Sequence, residues 1–200
     1  MELVLVRHAL PVRIDGTPDG SPADPGLDAR GQEQAHRVLR ALEGQEVTAI
    51  YSSPARRARE TAEPTAAALG LAVTVLDGLD EFDAGHSSYV PVEQLKAEGD
   101  PRYDALVRGD IYAGSVDPLV FRATVVAAVE QAALAHPGGR AVLFAHSGTI
   151  NAYTGQVTGQ RRSLWFAPSY ASVSRVGAAR DGRRGIISLN ETAHVRDLLG

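Results

Sequence analysis

The sequence holds no cysteine. Disulfides, cysteine-ligated zinc, iron–sulfur clusters and cysteine-nucleophile chemistry are thereby excluded for this chain. Lysine is nearly as scarce: Lys96 is the single lysine among 20 basic residues, and the rest are arginine. Basic charge therefore resides on guanidinium groups, the groups that grip phosphate oxygens in pairs. Long apolar runs are missing too. No uninterrupted run approaches the roughly 18 residues of a membrane span, and Leu3 to Val6, the apolar stretch before Arg7, is too short for the core of a secretory signal. The expectation is a cytoplasmic chain with no membrane partner. A formal net charge of −4 gives no reason to expect nucleic acid or an anionic surface as partner. What is present is average. With 200 residues, 44% of them hydrophobic and 22% charged, the chain suits one domain over 1–200 with a proper core, and not a disordered segment.

Short apolar runs alternate with helical patterns. Leu3-Val4-Leu5-Val6 reads as a strand buried on both faces. Residues 11–26, rich in Pro, Gly and Asp, read as a loop. From Gly31 to about Glu43, Ala35, Val38, Leu39 and Leu42 recur at helical spacing. Strand patterns at Val47 to Tyr51 and Val73 to Leu76 flank a helix from Pro54 to Leu69, with Gly70 after its end. The stretch 83–117 is expected to be an irregular lid inserted between core elements. A helix from Asp117 to His136, a strand at Ala141 to Ala145, a helix from Ser147 to about Val157 and strands near 171–176 and 185–189 complete the order. The alternation implies a three-layer α/β/α sandwich with a largely parallel central sheet. In such sheets, sites lie beyond the carboxyl ends of the strands.

Those strand ends hold polar residues that a core does not need. Arg7 and His8 follow the first strand; Ser52, Ser53, Arg56, Arg57 and Arg59 follow the second. Glu81 follows the third, and His146, Ser147, Gly148 and Thr149 follow the fourth, at a helix N-terminus. Arginine forks and free backbone N–H groups favour a dianion such as phosphate. A neutral imidazole is a competent nucleophile toward phosphorus, and a carboxylic acid can protonate a departing alkoxide. His36, His136 and His194 have no compact ligand spacing and are expected to be structural, so no metal is expected. Tyr89, Tyr103 and Tyr112 are read as packing the lid, while His86, Tyr89 and Arg102 have no readable role toward substrate.

These residues fall into motifs. Leu5-Val6-Arg7-His8 resembles the Arg-His signature of the histidine phosphatase superfamily, which includes the phosphoglycerate mutases. Leu27 to Ala35 resembles its L-[ST]-x-x-G-x-x-Q-A segment, and Ser52 to Ala62 its S-S-P-L-x-R-A-x-Q-T-A segment. Leu79 to Gly85 is similar to L-x-E-x-x-x-G, His146-Ser147-Gly148 to H-[GS]-G, and Leu189 to His194 to a C-terminal segment. The match spans nearly the whole chain and implies a phosphoglycerate-mutase-like fold. It also implies a metal-independent phosphomonoester hydrolase without cofactor, acting on a small-molecule phosphate ester through phosphohistidine at His8. Carried over position by position, Arg7, Arg57 and His146 hold the phosphoryl oxygens, Glu81 donates and later accepts a proton, and N–H groups near Gly148 and Thr149 add to the anion site. Arg57, not Arg56 or Arg59, sits in the R-A-x-x-T-A frame. Ala9, Leu10, Pro11 and Ile14 depart from the glycine, Glu-Thr/Ser and asparagine common after the signature, with Arg13 as nearest replacement. His86 to Tyr89 occupy the place of a frequent tryptophan, and the lid lacks an evident basic pair for a second phosphate. These departures favour a phosphatase over the alternatives, a mutase-type phosphotransferase or a non-catalytic phospho-ligand-binding domain. The substrate and the oligomeric state are not legible.

Overall fold

A computed structural model describes residues 1–108 and 116–199. The strands are β1 (Glu2–Arg7), β2 (Ala49–Ser52), β3 (Val73–Val75), β4 (Arg140–Ala145), β5 (Val173–Ala178) and β6 (Arg184–Glu191). They form one sheet in the order β3-β2-β4-β1-β5-β6. The first four strands are parallel, whereas β5 and β6 join antiparallel, β5 pairing Val173 with Val6 and Val176 with Leu3. The sheet is thus mixed and mostly parallel.

Alternation along β1 sends its side chains to two cores. Leu3 and Leu5 join one apolar cluster with Val125, Val129 and Ile150, while Val4 and Val6 join the other with Ala35, Val38 and Ala62. The first face is covered by helices α5 (Pro118–Ala135) and α6 (Ser147–Thr158), the second by α1 (Ala29–Arg37) and α2 (Arg56–Leu69). This is the expected α/β/α layering.

Several boundaries move for local reasons. After α1 the chain tightens into a 3₁₀ turn over Val38–Leu42, so the periodic pattern outlasts the α-helix. Helix α2 begins two residues after Pro54, because Ala55 stays extended and its N–H donates to Ser53 Oγ (3.1 Å). It ends as read, at a left-handed Gly70 (φ 64°). The stretch 83–117 is not wholly irregular: it contains helices α3 (Val92–Glu98) and α4 (Pro101–Arg108). Each is about two turns long, too short for a 3.6-residue pattern to declare itself. Tyr112 lies outside the described residues.

Helix α5, with 18 residues and a mean hydropathy of 1.3, has by length and composition the character of a membrane span. Here Phe121, Val125, Val129 and Ala132 bury one face in the core. Arg122 donates to the Gln160 carbonyl (2.7 Å) and Glu130 pairs with Arg184 (2.5 Å), which places α5 as a packed core helix.

Candidate active site

The carboxyl ends of β1, β2 and β4 meet at one sheet edge. The His8 N–H donates to the Ala145 carbonyl (2.8 Å) and the Ser53 N–H to the Phe144 carbonyl (2.9 Å), which ties the residues just past three strands together. The two residues after His8 are pinned from behind. Ala9 N–H donates to Thr61 Oγ1 and Leu10 N–H to Gln34 Oε1, each at 2.9 Å. Gly31 of α1 rests so closely on the Leu10 carbonyl that a Cβ would overlap it.

His8 is 3% exposed and lines a cavity of about 530 Å³. Its Nδ1 lies 2.8 Å from the Ala9 carbonyl oxygen. A carbonyl only accepts, so Nδ1 carries the proton and Nε2 the lone pair. Burial, reinforced by the charges of Arg57 and Arg7, holds the His8 pKa well below its usual 6.5, and the ring is neutral at pH 7.

Two buried arginines flank it. Arg7 donates through Nη1 to the Pro168 carbonyl (2.7 Å), and its guanidinium lies 3.7 Å above the Tyr170 ring. Arg57 donates through Nη2 to Asp83 (3.2 Å) and lies 4.7 Å above the Tyr89 ring. The Nε atoms of both are buried without a partner among the described residues. Arg56 instead pairs with Glu60 (2.6 Å), and Arg59 donates to the Pro54 carbonyl (3.0 Å). Arg13 pairs with Asp15 and Glu98 and does not line the cavity.

His146 is buried, with its ring centroid 5.1 Å from that of His8. Its Nε2 lies 2.8 Å from Ser53 Oγ, and that hydroxyl donates onward to Asp80 (3.2 Å). The hydroxyl therefore accepts from Nε2–H, which leaves Nδ1 as a buried lone pair without a partner among the described residues. Burial, then Arg57, His8 and Arg7, push the His146 pKa well down.

Glu81 lines the same cavity. Burial, then the charge of Asp83, raises its pKa from 4.5 to about 8, against the pull of the Gly148 and Phe82 N–H groups and of Arg57. At pH 7 it is predominantly a carboxylic acid. Gly148 and Thr149, expected at the anion site, lie behind this acid instead. The Gly148 N–H donates to Glu81 Oε2 (2.8 Å), and the Thr149 hydroxyl donates to the carbonyls of Leu79 (3.2 Å) and Asp80 (3.1 Å). Neither lines the cavity, whereas Ser147 does. A Cβ on Gly148 would overlap Glu81 Oε1 and stand 2.7 Å from Phe82 Cδ1. Gly148→Ala is therefore expected to displace Glu81 and lower kcat on an alkyl phosphate by about tenfold or more, with a smaller loss on p-nitrophenyl phosphate; steady-state kinetics on the two esters checks this.

Sequence reasoning did not single out Tyr170, Pro168, Asp80 or Asp83 for the site. Tyr170 and Pro168 arrive because β5 runs antiparallel to β1, so the residues before β5 reach the edge where β1 ends. Lid residues Tyr89 and Tyr103, read as packing, line the cavity with His86 and Arg102. His136 bonds Tyr51 (2.8 Å) and His194 the Ala171 carbonyl (2.9 Å), both structural. Among the described residues, no group of three or more His, Asp or Glu is placed to hold a metal.

The mostly parallel six-stranded sheet, its helical layers and this cluster at the strand ends define the phosphoglycerate-mutase-like α/β class. The chain belongs to the histidine phosphatase superfamily (branch 1), whose family model matches residues 3–192. It is 36% identical over 98 residues to phosphoserine phosphatase 1 of Hydrogenobacter thermophilus, covering 48% of this chain and 45% of that protein. It is 30% identical over 109 residues to a probable phosphoglycerate mutase of Yersinia enterocolitica, covering 54% and 51%. The chain thus matches about half the length of these curated relatives. Among solved structures, a mycobacterial glucosyl-3-phosphoglycerate phosphatase with inorganic phosphate superposes with a TM-score of 0.76 at 24% identity, over 97% of this chain and 99% of that one. A phosphoserine phosphatase mutant from Entamoeba histolytica, in complex with phosphoserine, gives 0.73 at 20% identity, over 97% and 98%. These two establish likeness of fold.

Proposed function

We propose that this chain is a phosphomonoester hydrolase that works through phosphohistidine at His8 and needs no metal. The observation that carries the reading is geometric: His8, whose Nδ1 faces the Ala9 carbonyl and so leaves the lone pair on Nε2, and Glu81, whose burial favours its acid form, line one cavity with Arg7 and Arg57. Nucleophile and acid are both ready before substrate arrives.

In the first step His8 Nε2 attacks phosphorus, the bond to the leaving oxygen breaks, and Glu81 gives that oxygen its proton. In the second, the Glu81 carboxylate takes a proton from water as the water oxygen attacks phosphorus and the P–N bond breaks. The products are an alcohol and inorganic phosphate, and both residues return to their starting states. Arg7 and Arg57, with Nε atoms unpartnered beside the nucleophile, hold the phosphoryl oxygens where charge concentrates. His146 Nδ1, a lone pair in the uncomplexed chain, takes up a proton with the phosphate dianion and donates to a third oxygen. Gly148 serves as the clamp on Glu81, and Thr149 as the brace of the segment that carries it. The names of the relatives, a phosphoserine phosphatase and a glucosyl-3-phosphoglycerate phosphatase, support hydrolysis. A mutase reading needs a free basic pair for a second phosphate. Of the two further arginines in the cavity wall, Arg102 is committed to Asp100.

The test is phosphate release from a panel of phosphomonoesters in excess EDTA. EDTA-resistant turnover is expected. No release from any ester by folded protein, or EDTA inactivation reversed by a divalent cation, contradicts the reading.

A further inference from the structure

The cavity extends well beyond the reacting groups, and among the described residues its outer wall is mostly apolar. At about 530 Å³ it has the size of a site for a drug-sized ligand, larger than a phosphate with a three-carbon tail requires. Beyond Arg7, His8, Arg57 and Glu81, the wall is formed chiefly by Phe82, Tyr103, Leu106, Leu164, Trp165 and Phe166, drawn from the Glu81 segment, from α4 and from the loop after α6. His86, Ser88 and Ser147 also line the cavity, while other polar atoms of the wall are turned away or spent. Trp165 aims Nε1 at α6, where a Cβ on Gly155 would stand 3.6 Å from it. Tyr89 is hydrogen-bonded to Tyr170. Arg102 gives Nε and Nη2 to Asp100 at 3.0 and 2.7 Å. Arg162 stands exposed at the mouth.

A compact charged ester such as phosphoserine brings a carboxylate and an ammonium group that need buried partners, whereas the charged groups at this wall are paired or exposed: Asp83 with Arg57, Arg102 with Asp100, and Arg162 and His86 toward solvent. An apolar alcohol portion loses nothing there and gains by leaving water. We propose that this pocket selects phosphomonoesters whose alcohol portion is large and apolar, an arylalkyl or long alkyl group, over compact charged ones. The inference rests on the hydrolase reading for turnover, but not for binding.

The test is kcat/KM across ethyl, butyl, hexyl and 3-phenylpropyl phosphate, with phosphoserine and glycerol phosphate as compact comparators. The alkyl members have leaving groups of similar basicity, so the series isolates binding. Each buried methylene is expected to raise kcat/KM by roughly fourfold, mainly through KM. The 3-phenylpropyl ester should exceed phosphoserine by roughly a hundredfold. Leu106→Ala and Trp165→Ala should flatten the dependence on chain length, and circular dichroism confirms that each variant is folded. Preference for phosphoserine or glycerol phosphate, with turnover intact, overturns the inference and leaves the hydrolase reading standing. If no ester turns over, calorimetry of methylphosphonate against 3-phenylpropylphosphonate still decides: tighter binding of the larger ligand supports the apolar pocket, and equal or weaker binding overturns it.

Discussion

His8→Ala is expected to lower phosphate release by about 10⁴-fold or more while the protein remains folded. On the proposed mechanism the substitution removes the atom that forms the covalent intermediate, and each remaining group of the site already has another task in that mechanism. Arg7 and Arg57 have no lone pair to offer, His146 directs Nε2–H to Ser53, and its Nδ1 is the atom the proposed mechanism spends on a phosphoryl oxygen. Folding survives because His8 contributes little to the core. Its backbone bonds to Ala145 and Ala171 do not depend on the side chain, whose hydrogen-bond partner among the described residues is the Ala9 carbonyl, with tilted ring contacts to His146 and Tyr170. Burial and two nearby cations disfavour the charged imidazole, so the ring gives the fold no buried ion pair to lose. Thermal unfolding should therefore change by only a few degrees, while turnover falls to background. A variant that is folded and retains more than about a thousandth of the activity contradicts His8 as nucleophile.

Glu81→Gln carries the second large effect. Glutamine keeps the shape and can still accept the Gly148 N–H, but it cannot give up a proton. On an alkyl phosphate, whose leaving oxygen must be protonated, kcat/KM should fall by about 10²- to 10⁴-fold. On p-nitrophenyl phosphate, whose leaving group needs no proton, kcat/KM should change little. Hydrolysis of the phosphoenzyme, which needs Glu81 as base, should instead become rate-limiting and reveal a burst of nitrophenol. Equal losses on both esters contradict the assignment. The pH profile follows from the same group. The Glu81 pKa is raised from 4.5 to about 8, so the acid form persists through neutrality and is lost as pH rises through about 8. In the wild-type protein, kcat/KM on an alkyl phosphate should decline above about pH 8, and this alkaline limb should vanish in Glu81→Gln. His8 is lowered well below 6.5, so it imposes no acid limb near pH 6.5. Stability has a matching sign. The folded state retains on Glu81 a proton that the unfolded chain releases near pH 4.5, so its contribution is full below that pH and is lost as pH rises through about 8.

Much of this site was legible because parallel sheets concentrate function where strands end. Arg7-His8, Ser53, Glu81 and His146 each follow a short apolar run, and hydrophobic pattern alone places them at one edge. The resemblance separated Arg57 from Arg56 and Arg59, and the three side chains are placed differently: Arg57 lines the cavity, Arg56 pairs with Glu60 and Arg59 bonds the Pro54 carbonyl. What the sequence hid depends on direction and reach. Tyr170 lies far in sequence from Arg7 and arrives only because β5 turns back against β1. The left-handed Ala171 (φ 55°) that follows it carries no glycine signal to mark the turn. Asp80 and Asp83, simple acidic neighbours of Glu81 in the sequence, differ in where they aim, one toward the Ser53–His146 pair and the other toward Arg57. Gly148 was legible as a motif glycine, but its reason was not: it makes room for the acid.

The most direct measurement is the location of the phosphoryl group during turnover. Glu81→Gln, mixed with p-nitrophenyl phosphate and quenched in alkali within the burst, should carry one phosphoryl group on the peptide containing His8, with phosphorus NMR assigning it to Nε2. Nitrophenol release in that burst with no phosphate on the protein, or with phosphate on any other residue, contradicts the account.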